Sequence, residues 1–153
     1  MDQEDGLKPL AAAIIPRGER VLLTERRLHQ HGEAWSWPSG KVEPGESLEE
    51  AIVRELYEEL LLGNVKVVRR LGDIDLASGF RMSHFHVTIP DDAEPVLNDH
   101  ANLSQIRWMT REEAQQAFRT LDPTIAQGAL RLIDDVLRHE QLARGLHSRI
   151  IGG

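Results

Sequence analysis

Glu55, Glu58 and Glu59 stand at i, i+3 and i+4, directly after Arg54, in a stretch that reads as helix, so three carboxylates share one side of it. Ser47 can cap that helix, and Glu50 three residues later completes a capping box. At roughly 3.6 residues per turn, Leu48, Ile52 and Leu56 form an apolar stripe, with Glu59 inside it and Glu55 at its edge. Carboxylates so placed are partly desolvated and repel one another, which is costly unless a cation sits between them. An oxygen-only donor set suits Mg²⁺ or Mn²⁺. The competing reading is a solvated acidic face laced by Glu–Arg pairs.

The fixed order of Gly40, five residues, Glu46, seven residues and Arg54-Glu55-Leu56-Tyr57-Glu58-Glu59 resembles the signature of the Nudix hydrolases. Two positions depart from it. Ser39 stands where a Gly usually precedes Gly40, and Leu61 replaces the Gly two residues after the last Glu, with Gly63 as the nearest substitute. We read Gly63 as the terminus of a slightly longer helix. The resemblance implies metal ligation by Glu55, Glu58, Glu59 and the Ser39 backbone carbonyl. It also implies that Arg54 and Glu46 hold the ligands in place, and that a P–O–P bond is hydrolysed in a nucleoside di- or triphosphate or a nucleoside-diphosphate derivative.

The group that takes the proton from the attacking water stays open between the helix, with Glu58, and a later loop. There Asn98-Asp99-His100 resembles a stretch that some family members place before a Trp, here Trp108. Asp99 is thus a candidate catalytic residue, against the simpler reading of a turn-forming Asn-Asp pair. Candidate substrate contacts are Arg26 and Arg27 as phosphate clamps, Lys41 beside the signature glycine, Trp35 and Phe80 as stacking rings, and His86 on the strand bordering the cleft. The opposing readings are an exposed basic pair and core packing. Trp37, Trp108 and Phe85 are assigned to the core.

These residues need a scaffold, and the rest of the chain outlines one. Residues 7–15 are an apolar run ending at Pro16-Arg17-Gly18, and residues 20–25 return as a second strand. Residues 26–34 read as a polar loop, 48–62 as the signature helix, 65–76 and 80–89 as strands joined at Ala77-Ser78-Gly79, and 105–109 as a short strand. Thr110-Arg-Glu-Glu113 is a second capping box, and Asp122-Pro123 opens a last helix, with the polar stretch from His139 fraying. The expectation is an α/β fold, a Nudix-type α/β/α sandwich with a mixed sheet, in one domain over residues 1–153 with its core in 7–137.

Composition limits the alternatives. Of 153 residues, 41% are hydrophobic and 28% charged, an ordinary globular balance. A net charge of −7 disfavours nucleic-acid backbones as partners but not a small polyphosphate accompanied by metal. No run is long enough to span a bilayer and the first residues are acidic, so no membrane partner and a cytoplasmic location are expected. A homodimer is compatible with this reading. With no cysteine the chain lacks the catalytic thiol of the isomerase that shares the fold. The remaining rival is a non-catalytic nucleotide-sensing Nudix module.

Overall fold

The computed structural model describes residues 5–28, 32–98 and 103–151, with backbone only at 27, 28, 32, 33 and 146–151. Among the described residues eight strands and three α-helices follow in the order β1 (Lys8–Ile14), β2 (Pro16–Arg17), β3 (Arg20–Leu28), β4 (Gly32–Ser36), β5 (Ser39–Lys41), α1 (Leu48–Leu60), β6 (Lys66–Asp75), β7 (Phe80–Thr88), β8 (Leu103–Thr110), α2 (Arg111–Ala117) and α3 (Pro123–Ile151), with one 3-10 turn (Phe118–Thr120) between the last two. One sheet runs β5-β1-β7-β6, with β1 and β7 parallel and the other pairs antiparallel. A second sheet is built on β3, which pairs with β2, β4 and β8, all antiparallel. The expected mixed-sheet α/β architecture is present.

Alternation along β1 divides the core. Ala11, Ala13 and Ile15 pack with Ile52, Leu56, Leu60, Phe85 and Val87 on the side of α1. Ala12 and Ile14 point the other way, toward Trp37, Phe118, Ile133 and Val136 on the side of α2 and α3. Successive strand residues face opposite sides, so one short segment serves both layers. Trp37 and Phe85 are core residues, as read from the sequence. Among the described residues no helix is long and apolar enough to cross a membrane.

Three expectations need correction. Of residues 26–34, read as a loop, 26–28 extend β3 and 32–34 belong to β4 (Gly32–Ser36), which pairs antiparallel with Thr24 to Leu28. The final helix does not fray at His139 but continues to Ile151. The signature helix is not lengthened to reach Gly63. It ends at Leu60, and Leu61 itself takes the left-handed conformation, with φ 55°. Its N–H donates to the Tyr57 carbonyl at 3.0 Å, and that of Leu62 to the Leu56 carbonyl at 3.2 Å.

Candidate active site

The signature loop is fastened to the sheet before the helix begins. The Ala13 N–H donates to the Pro38 carbonyl at 2.9 Å, and β5 pairs with β1 in the register Ala12–Ser39, Ala11–Gly40 and Leu10–Lys41. The chain then turns through Glu43–Glu46. The Glu46 N–H reaches the Glu43 carbonyl at 3.0 Å, the Glu46 carboxylate accepts from the Glu43 N–H at 3.0 Å, and Gly45 supplies the positive φ the turn requires. The capping box of α1 is reciprocal: Ser47 Oγ accepts from the Glu50 N–H at 3.0 Å, and the Glu50 carboxylate accepts from the Ser47 N–H at 2.8 Å.

This start aims the glutamates across the loop. Gly40 lies so close to Glu55 that a Cβ there would overlap the Glu55 carboxylate carbon and the methylene before it. Arg54 hydrogen-bonds four neighbours and lies 3.6 Å from the Glu43 carboxylate. Its Nε and Nη2 hold both oxygens of Glu46 at 2.7 and 2.9 Å, Nη1 reaches Glu55 at 2.8 Å and Glu58 at 3.1 Å, and Nη2 reaches the Lys41 carbonyl at 2.9 Å. A planar guanidinium can serve so many acceptors at once, whereas an ammonium cannot. This contact holds the Glu46 carboxyl at about 2 and raises the Arg54 guanidinium above its ordinary range.

Glu59 differs from its neighbours. Burial pushes its carboxyl up, against the pull of Arg26, whose Nη2 is 3.4 Å from Oε2. Its other oxygen, Oε1, is buried and has no hydrogen-bond partner among the described residues. A buried carboxylate oxygen without a donor is costly. A cation between Glu59 and Glu55 would relieve it, and the all-oxygen donor set fits a hard divalent ion. The helix end beneath these glutamates is closed by the chain that follows β7: the Asn98 side chain donates to the Glu58 carbonyl at 2.7 Å, and the N–H groups of Asn98 and Val96 donate to the carbonyls of Glu59 and Leu60 at 3.0 and 2.9 Å.

Glu55 and Glu59 stand at one wall of a cavity of about 720 Å³. Arg26, Trp35, Ser39, Lys41 and Phe80 also line it. The Lys41 ammonium lies 5.6 Å from the centre of the Phe80 ring. Glu58 does not line the cavity; its half-exposed side chain leans on Arg54. Arg27 lies in β3, but its side chain is outside the described residues, as is all of Asp99.

His86 corrects its expectation. It is fully buried, does not line the cavity, and places Nε2 3.1 Å from Glu140 of α3. The histidine that does line the cavity is His84, two residues earlier on the same face of β7. Its Nδ1 faces the Gly72 carbonyl at 2.9 Å and its ring meets Trp37 edge-on at 6.5 Å. Burial lowers its pKa, so the ring is neutral, with Nδ1 donating and Nε2 an acceptor. Alternation along residues 80–86 puts His84 and His86 on one face, but the sequence alone does not show where along that face the cavity ends.

Comparison with known proteins agrees with this geometry. The model of the NUDIX domain family matches residues 7–134. A CTP pyrophosphohydrolase of Escherichia coli strain K12 is 33% identical over 108 residues, 70% of this chain and 78% of that protein. An RNA pyrophosphohydrolase of Photorhabdus laumondii is 42% identical over 67 residues, 44% of this chain, and the chain spans only 37% of that relative's length. The crystal structure of a C. elegans Ap4A hydrolase superposes with a TM-score of 0.69 at 20% identity, covering 85% of this chain and 98% of the other, a likeness of fold. With a signature helix aimed into a cavity and a family match over most of its length, the chain belongs to the NUDIX domain family.

Proposed function

We propose that this chain is a single-domain, Mg²⁺-dependent pyrophosphohydrolase, with Mn²⁺ as a substitute, acting on a nucleoside di- or triphosphate or a nucleoside-diphosphate derivative. The observation that carries the reading is the pairing of Gly40 with Glu55 beside the unsatisfied Glu59 oxygen, at the wall of a largely apolar cavity. Glu55, Glu58, Glu59 and the Ser39 carbonyl would hold the metal, which when bound neutralises phosphate charge and acidifies an attacking water.

The chain's own residues do the rest. Arg54, braced by Glu46, keeps Glu55 and Glu58 from turning away into solvent. Glu58, half-exposed, or Asp99, next in the chain after Asn98, is the carboxylate that takes the proton of the water. Arg26 and Lys41 stand at the cavity to meet phosphate oxygens, with Arg27 next in the chain. Trp35 and Phe80, which line the cavity, would stack on the base. A small nucleotide is favoured over an RNA end. The net charge is −7, and the CTP pyrophosphohydrolase matches 70% of the chain, against 44% for the RNA pyrophosphohydrolase. The protein would work in the cytoplasm, as a monomer or homodimer.

The test is a panel of nucleotides, sugar nucleotides and 5′-triphosphorylated RNA, followed with Mg²⁺ and after chelation, in ¹⁸O-labelled water. Expected are metal-dependent turnover and label in a phosphate-containing product. Glu59→Gln should lower kcat at least about 100-fold without lowering the melting temperature. Turnover that survives chelation would sink the metal mechanism, and binding without turnover across the panel would make the protein a sensor.

A further inference from the structure

A second group of metal-ligating side chains lies outside the cavity, between β7 and α3. His86 of β7 is wholly buried, and its Nε2 is 3.1 Å from Oε2 of Glu140. His139, next to Glu140 on α3, meets the His86 ring edge-on with centroids 5.0 Å apart. One donor atom from each of the three lies within 4.8 Å of the other two. Nδ1 of His86 and Nδ1 of His139 are both buried, and neither has a hydrogen-bond partner among the described residues. Buried polar atoms are nearly always satisfied; for His86, Nε2 is the nitrogen that faces Glu140, and Nδ1 lies on the other edge of the ring.

We propose that His86, His139 and Glu140 form a transition-metal site, for Zn²⁺ or a similar ion, separate from the carboxylate site on α1. Zinc bonds of about 2.0–2.2 Å at a tetrahedral angle put neighbouring donors about 3.4 Å apart. The His86–Glu140 separation of 3.1 Å is close to that spacing, and the His139 donor, within 4.8 Å of both, would move inward on ligation. Two imidazoles and one carboxylate select Zn²⁺ over Mg²⁺ and leave a fourth position for water. Arg69, a cation near the group, is ion-paired with Asp135 at 2.8 Å.

The site would tie together two walls of the cavity. His86 follows Phe80, Met82 and His84 on one face of β7, and α3 supplies Ile125 and Ala129 to the same cavity. Bound metal would therefore resist separation of helix and sheet without touching the phosphates.

The experiment uses the full chain, stripped of metal and then held in excess Mg²⁺ so that the carboxylate site is filled. Zn²⁺ titration by calorimetry should show one equivalent bound, and ¹⁵N spectra should show the imidazole nitrogens of His86 and His139 moving with it. His139→Gln and Glu140→Gln change side chains at the margin of the core, and each should weaken Zn²⁺ at least about tenfold, while Glu59→Gln binds Zn²⁺ as the wild type does. Absence of Zn²⁺ binding in excess Mg²⁺, unmoved His86 and His139 resonances, or less than tenfold weakening in either variant would overturn the proposal.

Discussion

At the scale of single residues, chemistry and stability separate at Gly40. The nearest atoms an alanine there would meet all belong to the flexible Glu55 side chain, its carboxylate and the methylene before it, and Gly40 does not use a positive φ. Gly40→Ala should therefore lower kcat at least about tenfold while leaving the melting temperature within about 3 °C of wild type. Activity and melting measured on one preparation check this. Glu46 carries a pH signature. Arg54 holds its carboxyl at about 2 instead of the ordinary 4.5. A lowered folded-state pKa gives stability that is complete above the unfolded value and is lost as pH falls toward the folded one. The melting temperature should thus fall more steeply between pH 4.5 and pH 2 in wild type than in Glu46→Gln. Parallel acid limbs would mean the Arg54 contact contributes nothing in solution. The candidate ligands were legible in the sequence because helical spacing gathers Glu55, Glu58 and Glu59 on one side. His84 was not, because histidine at 84 and at 86 gives the same alternation and only packing separates cavity from core.

The elements show where local rules yield to tertiary ones. Both capping boxes were readable, since each depends on two residues three apart. β4 was not, because Gly32-Glu-Ala-Trp-Ser36 has little β propensity and owes its form to the partner β3 offers. The end of α1 was misread for a related reason. Glycine was sought for the left-handed position, but Leu61 adopts it, held there by carbonyl contacts of the last turn. That conformation costs a non-glycine residue about 1 kcal/mol, and Leu61 is 51% exposed, so little burial would be lost on replacement. Leu61→Gly should stabilise the protein by about 0.5–1 kcal/mol, with activity unchanged. Chemical denaturation measures it, and a destabilised variant would show that the Leu61 side chain packs more than its exposure suggests.

For the whole molecule, the proposed metal site predicts that binding the ion stabilises the fold. Glu59 is charged only against the resistance of burial and of its neighbours Glu55 and Glu58. Saturating Mg²⁺ at about 100 times Kd would add about 2.7 kcal/mol, or roughly 5–10 °C in melting temperature for a chain of this size. Glu59→Gln should abolish that rise, and an unchanged rise would place the ion elsewhere. The layered architecture was legible because apolar runs and caps alternate along the chain, whereas the pairing of β8 with β3 joins residues about 80 positions apart and left no local mark. β1 bears on how this protein can change. Ala11 and Ala13 touch the layer of α1, Ala12 touches the layer of α3, and all three are fully buried. Alanine is a poor strand former, so what these positions provide is thinness. A valine at 11 or 13 would lift the glutamate helix away from Gly40, and one at 12 would press into the packing under Trp37. The strand works as a shim between two machined faces. A lineage or a designer could reshape the cavity by many routes along its rim, but at this shim each added methyl group displaces one whole layer.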